Sequence, residues 1–439
     1  MLESFRIPVE SLLRLADHPA DPETVTVLMQ GQLSKNIQLA AHIAKSAPNA
    51  LGMANAVSVF SQAQSRDPAI SDRLAAAPCF GSWAARAVSL LGGTTRPHSS
   101  LAVELSYLHA TAAVAAMWTR VDADLTLYVR DGMVLLPTMG AVRVAAADLT
   151  PVRARVRGGG MTLQTDDLTV EVSSASVDTA AWLPLRAISA EAAGHAITLT
   201  VDDLDPYRDC YHKQLAARLS EEEFRHGERL MRDAWQLLTE YAPERAVELA
   251  AGMRTMVPLS VTHAAPGLSA TSRVAVGALA LTLPERAVQL AVTLVHEFQH
   301  SKLSALLDLV PLHAPGSGQL YFAAWKPEPR PVWGLLQGSY AFLAVAELWW
   351  RLRDAPVDRV VAQRHFAEIR LQVDDVLSTL ESVPDLNGNG RVFVSRMRSA
   401  LDSLLAVPVP ADVAREARLS LERTRAQWAR RHDQALVTR

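Results

Sequence analysis

Residues 284–310 read PERAVQLAVTLVHEFQHSKLSALLDLV, and the interpretation of the whole chain turns on this stretch. Its apolar residues recur at helical spacing after a proline that suits a helix entrance, so a long, largely apolar helix is expected here. Inside it lies His296-Glu297-Phe298-Gln299-His300, an H-E-x-x-H pattern. A helix turns by about 100° per residue, so His296 and His300 project from one face, one turn apart. Two imidazoles so placed can take neighbouring positions on one metal ion, with Glu297 beside them to orient or deprotonate a bound water. The pattern alone is common by chance, and its surroundings give it weight. The flanks LAVTLV and LSALLDLV belong in a core, and burying polar groups there costs several kcal/mol unless they are paired or bound to metal. The competing interpretation is a pair of satisfied core histidines.

Such a centre needs a third ligand. The next apolar helix, GLLQGSYAFLAVAELWWRLR at 334–353, contains Glu347, an acid among apolar neighbours that needs a partner. Tyr340, Ala344 and Glu347 share one helix face, which directs a phenol and a carboxylate to the same side. Gln337, one turn earlier, is a rival with a poorer ligand atom, His313 in the intervening loop is another, and water alone is the remaining alternative. Two histidines and a carboxylate suit zinc hydrolysis with Glu297 as base. They equally suit the facial triad of non-haem Fe(II) oxygenases. Spacing does not separate the two.

Outward from this centre, the chain divides into three regions. Residues 1–118 read as helical, with RPHSS at 96–100 supplying a break and then an N-cap. Residues 119–204 form a small antiparallel β region of short alternating runs, with a hairpin expected at Asp131-Gly132. Arg153, Arg155 and Arg157 alternate along one of these strands, as a solvated face or as a docking strip for an acidic peptide. Residues 205–439 make a mainly helical metal-binding domain. It opens with a capping box at Ser220 and Glu223, and carries a strand at 272–284 and a Pro- and Gly-rich loop at 311–334. DLNGNG at 385–390 begins like a calcium loop but has Arg396 where a bidentate Glu is required, so it is read as a turn. The fold class expected is α+β, mainly helical.

Composition limits the functions open to the chain. Its 439 residues are 49% hydrophobic and 20% charged, with a net charge of −3. That balance gives no electrostatic reason to expect nucleic acid or an anionic membrane as partner. Two cysteines, Cys79 and Cys210, suit a reducing compartment. The opening MLESFRIPVESLL lacks the basic and apolar segments of a signal peptide, so a cytoplasmic protein is expected. Oligomeric state is not legible.

The extended wording VHEFQHSKLSALLDLVPLH followed by LYFAAWKPEPRPVWGLLQGSYAFLAVAELWW resembles the HExxH-motif peptide-modification proteins of bacterial ribosomal-peptide (RiPP) biosynthesis. GMRTMVPLSV, SATSRVAVGALALTLP and DPYRD at 205–209 are similar too, and the likeness covers about 205–350. The resemblance implies a zincin-like metal helix beside a strand. It also implies an α-ketoglutarate-dependent dioxygenase that hydroxylates the β-carbon of a residue in a precursor peptide, using Fe(II) and O2. Iron would then sit on His296 and His300 with an acid at the Glu347 position, and Tyr340 beside them. Glu297 would orient ligands and not act as a base. An arginine would hold the distal carboxylate of the co-substrate. Arg330 and Arg273 flank the metal elements and are the candidates, ahead of Lys302 and Lys326. The chain departs from the family at Phe342, where many members have histidine. The alternatives are a zinc metallopeptidase or amidohydrolase, and a non-catalytic peptide-binding protein.

Overall fold

A computed structural model describes residues 7–437 apart from 17–18, 49–50, 97–99, 167–168, 173–176, 209–212, 261–266 and 315–317. Six helices come first: α1 (Val9–Ala16), α2 (Pro22–Ser46), α3 (Met53–Arg66), α4 (Pro68–Ala75), α5 (Pro78–Leu91) and α6 (Leu101–Thr119). Proline sits in the first turn of α2, α4 and α5, where its missing N–H leaves no bond unmade. Asp21, Asp67 and Ser100 cap α2, α4 and α6 by accepting from backbone N–H groups. Ser100 is therefore the cap expected after the RPHSS break. By length and composition α6 could cross a bilayer, and so could the bent pair α4–α5, but most of α6 is buried inside the protein. Its Glu104 is satisfied there by Arg86 and the Tyr207 hydroxyl.

Nine strands follow: β1 (Ala123–Tyr128), β2 (Met133–Leu136), β3 (Gly140–Arg143), β4 (Pro151–Arg157), β5 (Gly160–Gln164), β6 (Thr169–Glu171), β7 (Trp182–Pro184), β8 (Arg186–Ala192) and β9 (His195–Val201). Asp131 and Gly132 take φ of 52° and 70°, the left-handed pair that a type I′ turn requires. The expected hairpin nevertheless closes only a single bridge, Arg130 to Met133. Beyond it the strands part. β1 pairs along its whole length with β4, whose PVRARVR alternation buries Val152, Ala154 and Val156, while β2 pairs with β3. On the outer face of β4, Arg155 and Arg157 pair with Asp124, so two of the three arginines of the candidate docking strip are engaged.

The remaining elements are α7 (Glu221–Tyr241), α8 (Pro243–Gly252), β10 (Thr255–Pro258), β11 (Ser269–Ala270), β12 (Ala278–Leu281), α9 (Ala287–Leu309), β13 (Tyr321–Ala323), β14 (Lys326–Arg330), α10 (Val332–Arg351), α11 (Arg359–Ser382), α12 (Gly388–Leu405) and α13 (Ala411–Val437). The capping box of Ser220 and Glu223 opens α7. The strand expected over 272–284 is confined to Ala278–Leu281. Gly277, at φ 86°, ends the preceding turn and donates its N–H to Ser301 Oγ on α9. Within the loop expected at 311–334, β13 and β14 form a hairpin. Asn387 of the DLNGNG turn caps α12.

The sheet beneath the metal motif runs β11-β12-β10-β9-β8, with β10 parallel to both neighbours and the two edges antiparallel. One core joins α1 and the first half of α2 to β8–β10, β12 and α7–α12. A second joins the rest of α2 through α6 to β1–β7. The strands β8 and β9 thus belong to the core that carries α9. The class is α+β, with 57% of the described residues helical.

Candidate metal centre

Helix α9 is buried nearly all round, with Leu290, Leu294, Val295 and Phe298 at 0% exposure, as its apolar flanks require. His296 and His300 emerge from its one open face. Their Nε2 atoms lie 3.1 Å apart, about the separation of two adjacent nitrogens each about 2.1 Å from one ion. The rest of the geometry fixes one tautomer. His300 Nδ1 is 2.9 Å from Gln337 Oε1, and the Gln337 amide nitrogen donates to Ser304 Oγ at 3.2 Å. With its oxygen as the acceptor, Gln337 accepts a hydrogen bond from Nδ1–H and leaves the His300 Nε2 lone pair facing His296. Burial, then His300 and Lys326, pull the His296 imidazole down to about 3, so His296 is neutral near pH 7, with a lone pair to offer.

The side of the pair opposite Gln337 is aromatic. The Phe342 ring meets His296 edge-on, with centroids 4.8 Å apart, and Trp325 lies 4.9 Å from Phe342. Gly338 makes this possible, because a Cβ there would stand 2.5 Å from the Trp325 ring. The hairpin β13–β14, which carries Trp325, is pinned by α13 through Trp428 on Phe322 and His432 on the Pro327 carbonyl.

Glu347 does not join the histidines, and its expected role as third ligand is corrected by its partners. One oxygen is held by Arg351 at 3.1 Å and the other by Arg245. Arg245 also bonds Glu248 at 3.0 Å, and Glu248 pairs with the fully buried Lys302. Tyr340 faces this network as well: its ring covers Lys302 Nζ at 5.2 Å and its hydroxyl donates to the Leu15 carbonyl at 2.6 Å. Tyr340 and Glu347 do share a face, but it meets buried charge and not the imidazoles. Burial opposes ionisation of Glu248, yet Lys302 and Arg245 outweigh it and hold the carboxyl below the usual range. Lys302 is accordingly a structural cation and no candidate for a co-substrate.

The other predicted residues are dispersed. Glu297 is buried; Ser269 donates to one oxygen at 2.7 Å and Thr271 to the other at 2.5 Å. Arg273 is exposed and pairs with Asp308. Arg330 lies over the Trp333 ring at 5.4 Å. His313 bonds the neighbouring Ala314 carbonyl. Lys326 is the candidate cation whose charge is felt at His296.

Among the described residues, the pair gathers no carboxylate, thiol or third imidazole into a three-ligand group. The fit to a metal is therefore good for two adjacent nitrogens and incomplete for a facial triad. The sequence offers Gln337 as a rival ligand and Phe342 as the departure from the family pattern. Both stand on the face of α10 that meets His296 and His300. Compared with known proteins, the chain matches no family model and no curated sequence.

Proposed function

We propose that this chain holds one divalent transition-metal ion through His296 and His300 and acts as an Fe(II)- and α-ketoglutarate-dependent hydroxylase on a ribosomally made peptide. The observation that carries the metal reading is the bond from His300 to Gln337. It fixes one ring nitrogen as donor and leaves the other as ligand, the support that metal-binding histidines usually have. The reaction class draws on the likeness to the HExxH peptide-modification proteins, whose zincin-like arrangement agrees with α9 lying beside the edge strand β11. Iron with α-ketoglutarate and oxygen would supply the oxidising power to place a hydroxyl on a peptide β-carbon. Two protein nitrogens leave coordination positions for a chelating co-substrate, and Lys326 supplies positive charge beside them. Zinc peptidase chemistry is disfavoured because both oxygens of Glu297, its required base, accept hydroxyl hydrogen bonds.

A second reading has a specific observation in its favour. Phe342 packs against His296 on a side where a third ligand could stand, which suits a peptide-binding relative that has lost turnover. Incubation with the peptide encoded beside the gene, Fe(II) and α-ketoglutarate separates the readings. A mass gain of one oxygen atom, dependent on both additions and persisting at a reduced level in Glu297→Gln, supports hydroxylation. Stoichiometric peptide binding without modification supports the second reading, and peptide cleavage lost in Glu297→Gln supports the zinc enzyme.

A further inference from the structure

A cavity of about 680 Å³ opens between the two cores, walled by α2, α4, β9 and the segment before β12. Its floor is acidic. Asp202 and Asp205, 5% and 3% exposed, lie side by side with Cys79. Every hydrogen bond they accept comes from a neutral donor. Cys79 Sγ donates to Asp202 Oδ2 at 3.2 Å, and the Leu204 and Asp205 amides to Oδ1 at 3.2 and 2.9 Å. Tyr107 donates to Asp205 Oδ2 and the Tyr207 amide to Oδ1, both at 2.8 Å. Neither carboxylate forms an ion pair among the described residues; the Arg208 guanidinium bonds the Asp205 and Ala216 carbonyls instead. Two neighbouring buried acids with no cation bonded to either carboxylate are costly, even with the Arg208 charge acting on Asp205 from farther off. Burial and then Asp202 push the Asp205 carboxyl up to about 7.

The arginines that line the cavity are committed elsewhere. Arg254 is spent on the carbonyls of Ala250, Ala251 and Met253, and Arg73 lies 5.3 Å over the Trp118 ring. Thr138 adds an independent mark. It is a half-buried, β-branched residue at φ 64° in the cavity lining, and its Oγ1 is buried without a partner. The ligand atoms of Cys79, Asp202 and Asp205 lie within 4.8 Å of one another, so a bare metal ion is the rival occupant. An ion would fill only the gap between these ligand atoms, whereas the space above them is of the size that takes an organic ligand.

We propose that this cavity binds a peptide segment by seating an arginine or lysine side chain on Asp202 and Asp205. The peptide as source rests on the reading under Proposed function; the recognition of a cation does not. The test uses the metal-free full chain and two probes, Nα-acetyl-arginine N-methylamide and its neutral citrulline counterpart. Calorimetry gives affinity, and mass spectrometry gives the rate at which iodoacetamide alkylates Cys79. The expected result is binding of the arginine probe about tenfold or more tighter than citrulline, as a charge-assisted hydrogen bond provides, with matching protection of Cys79. Asp205→Asn removes that preference, and a His296→Ala, His300→Ala double variant keeps it, so loss of the metal reading leaves this result standing. Equal binding of the two probes, no binding of either, or protection by Zn(II) but not by the arginine probe overturns the proposal. The comparison of probes needs no variant, so misfolding of Asp205→Asn does not decide it.

Discussion

Replacing Gln337 by alanine should weaken metal binding without disturbing the fold. The side chain makes two bonds, 2.9 Å to His300 Nδ1 and 3.2 Å to Ser304 Oγ. Only the first bears on the metal. Without it, the His300 ring can rotate, and its proton can move to Nε2, the nitrogen that must be bare to bind. Loss of such an orienting partner typically costs about 10–100-fold in metal affinity, which is about 1.4–2.8 kcal/mol. Titration of the metal-free chain with Co(II) or Zn(II), in competition with a chelator of known strength, reads this directly. Gln337→Glu keeps an acceptor facing Nδ1 and should bind at least as tightly as wild type. His300→Ala should abolish the high-affinity site. If Gln337→Ala binds within about twofold of wild type while His300→Ala does not bind, the amide is not an orienting group and the tautomer argument is wrong.

Three further outcomes are expected. Phe342→His should place an imidazole beside His296 and tighten Co(II) or Zn(II) binding by about tenfold or more, toward the three protein ligands usual in catalytic sites; unchanged affinity would show that this side of the pair is closed to a ligand. Glu347→Gln should lower the unfolding free energy in urea by about 1–3 kcal/mol, because it weakens the partners of the buried Arg245, and should leave metal affinity within about twofold; a loss of metal binding instead would restore Glu347 as a ligand. Metal-free protein should lose stability as acid is added. His296 stays neutral in the folded state down to about pH 3, whereas in the unfolded chain it takes up a proton below about pH 6.5. The unfolded state therefore binds more protons between these limits, and stability falls with falling pH by up to about 1.4 kcal/mol per unit. Urea midpoints of wild type and His296→Gln at pH 7 and pH 5 check the sign; a wild-type midpoint that drops no more than the variant's contradicts it.

Local chemistry was readable wherever it is decided within a few residues. Ser100 and Ser220 cap helices as their neighbours dictate, and Asp131-Gly132 takes the paired left-handed conformation of its turn. What the turn joins was not readable. β1 finds its partner in β4, across intervening β2 and β3, because a full six-residue ladder with a buried alternating face outweighs the single bridge that the turn closes. The same division between local and distant contacts runs through the helix pairing. Periodicity placed Tyr340 and Glu347 together, and they are together.

Which partner a face meets is a separate matter, and here α9 presents two. Gln299 and Lys302 point to Glu248, while His296 and His300 point elsewhere. α10 answers with two faces of its own. Tyr340 and Glu347 go to the charged network, where Glu347 is drawn by Arg245, an arginine 102 residues away in sequence. Gln337 and Phe342 go to the imidazoles, 337 beside 300 and 342 beside 296, as two antiparallel helices must align. An acid in an apolar helix does require a partner, and that inference stands; a buried guanidinium satisfies the requirement as well as a metal does. The composition of α10 alone could not choose between them, because Arg245 lies on α8 and only the packing of three helices brings it within reach. Residue 342 is the more informative position, because its ring packs directly on His296. A phenylalanine against a ligand-bearing imidazole is a packing solution that a centre with a third ligand on that side would not tolerate. The metal affinity of Phe342→His therefore tests whether this interior still has the shape of a three-ligand centre.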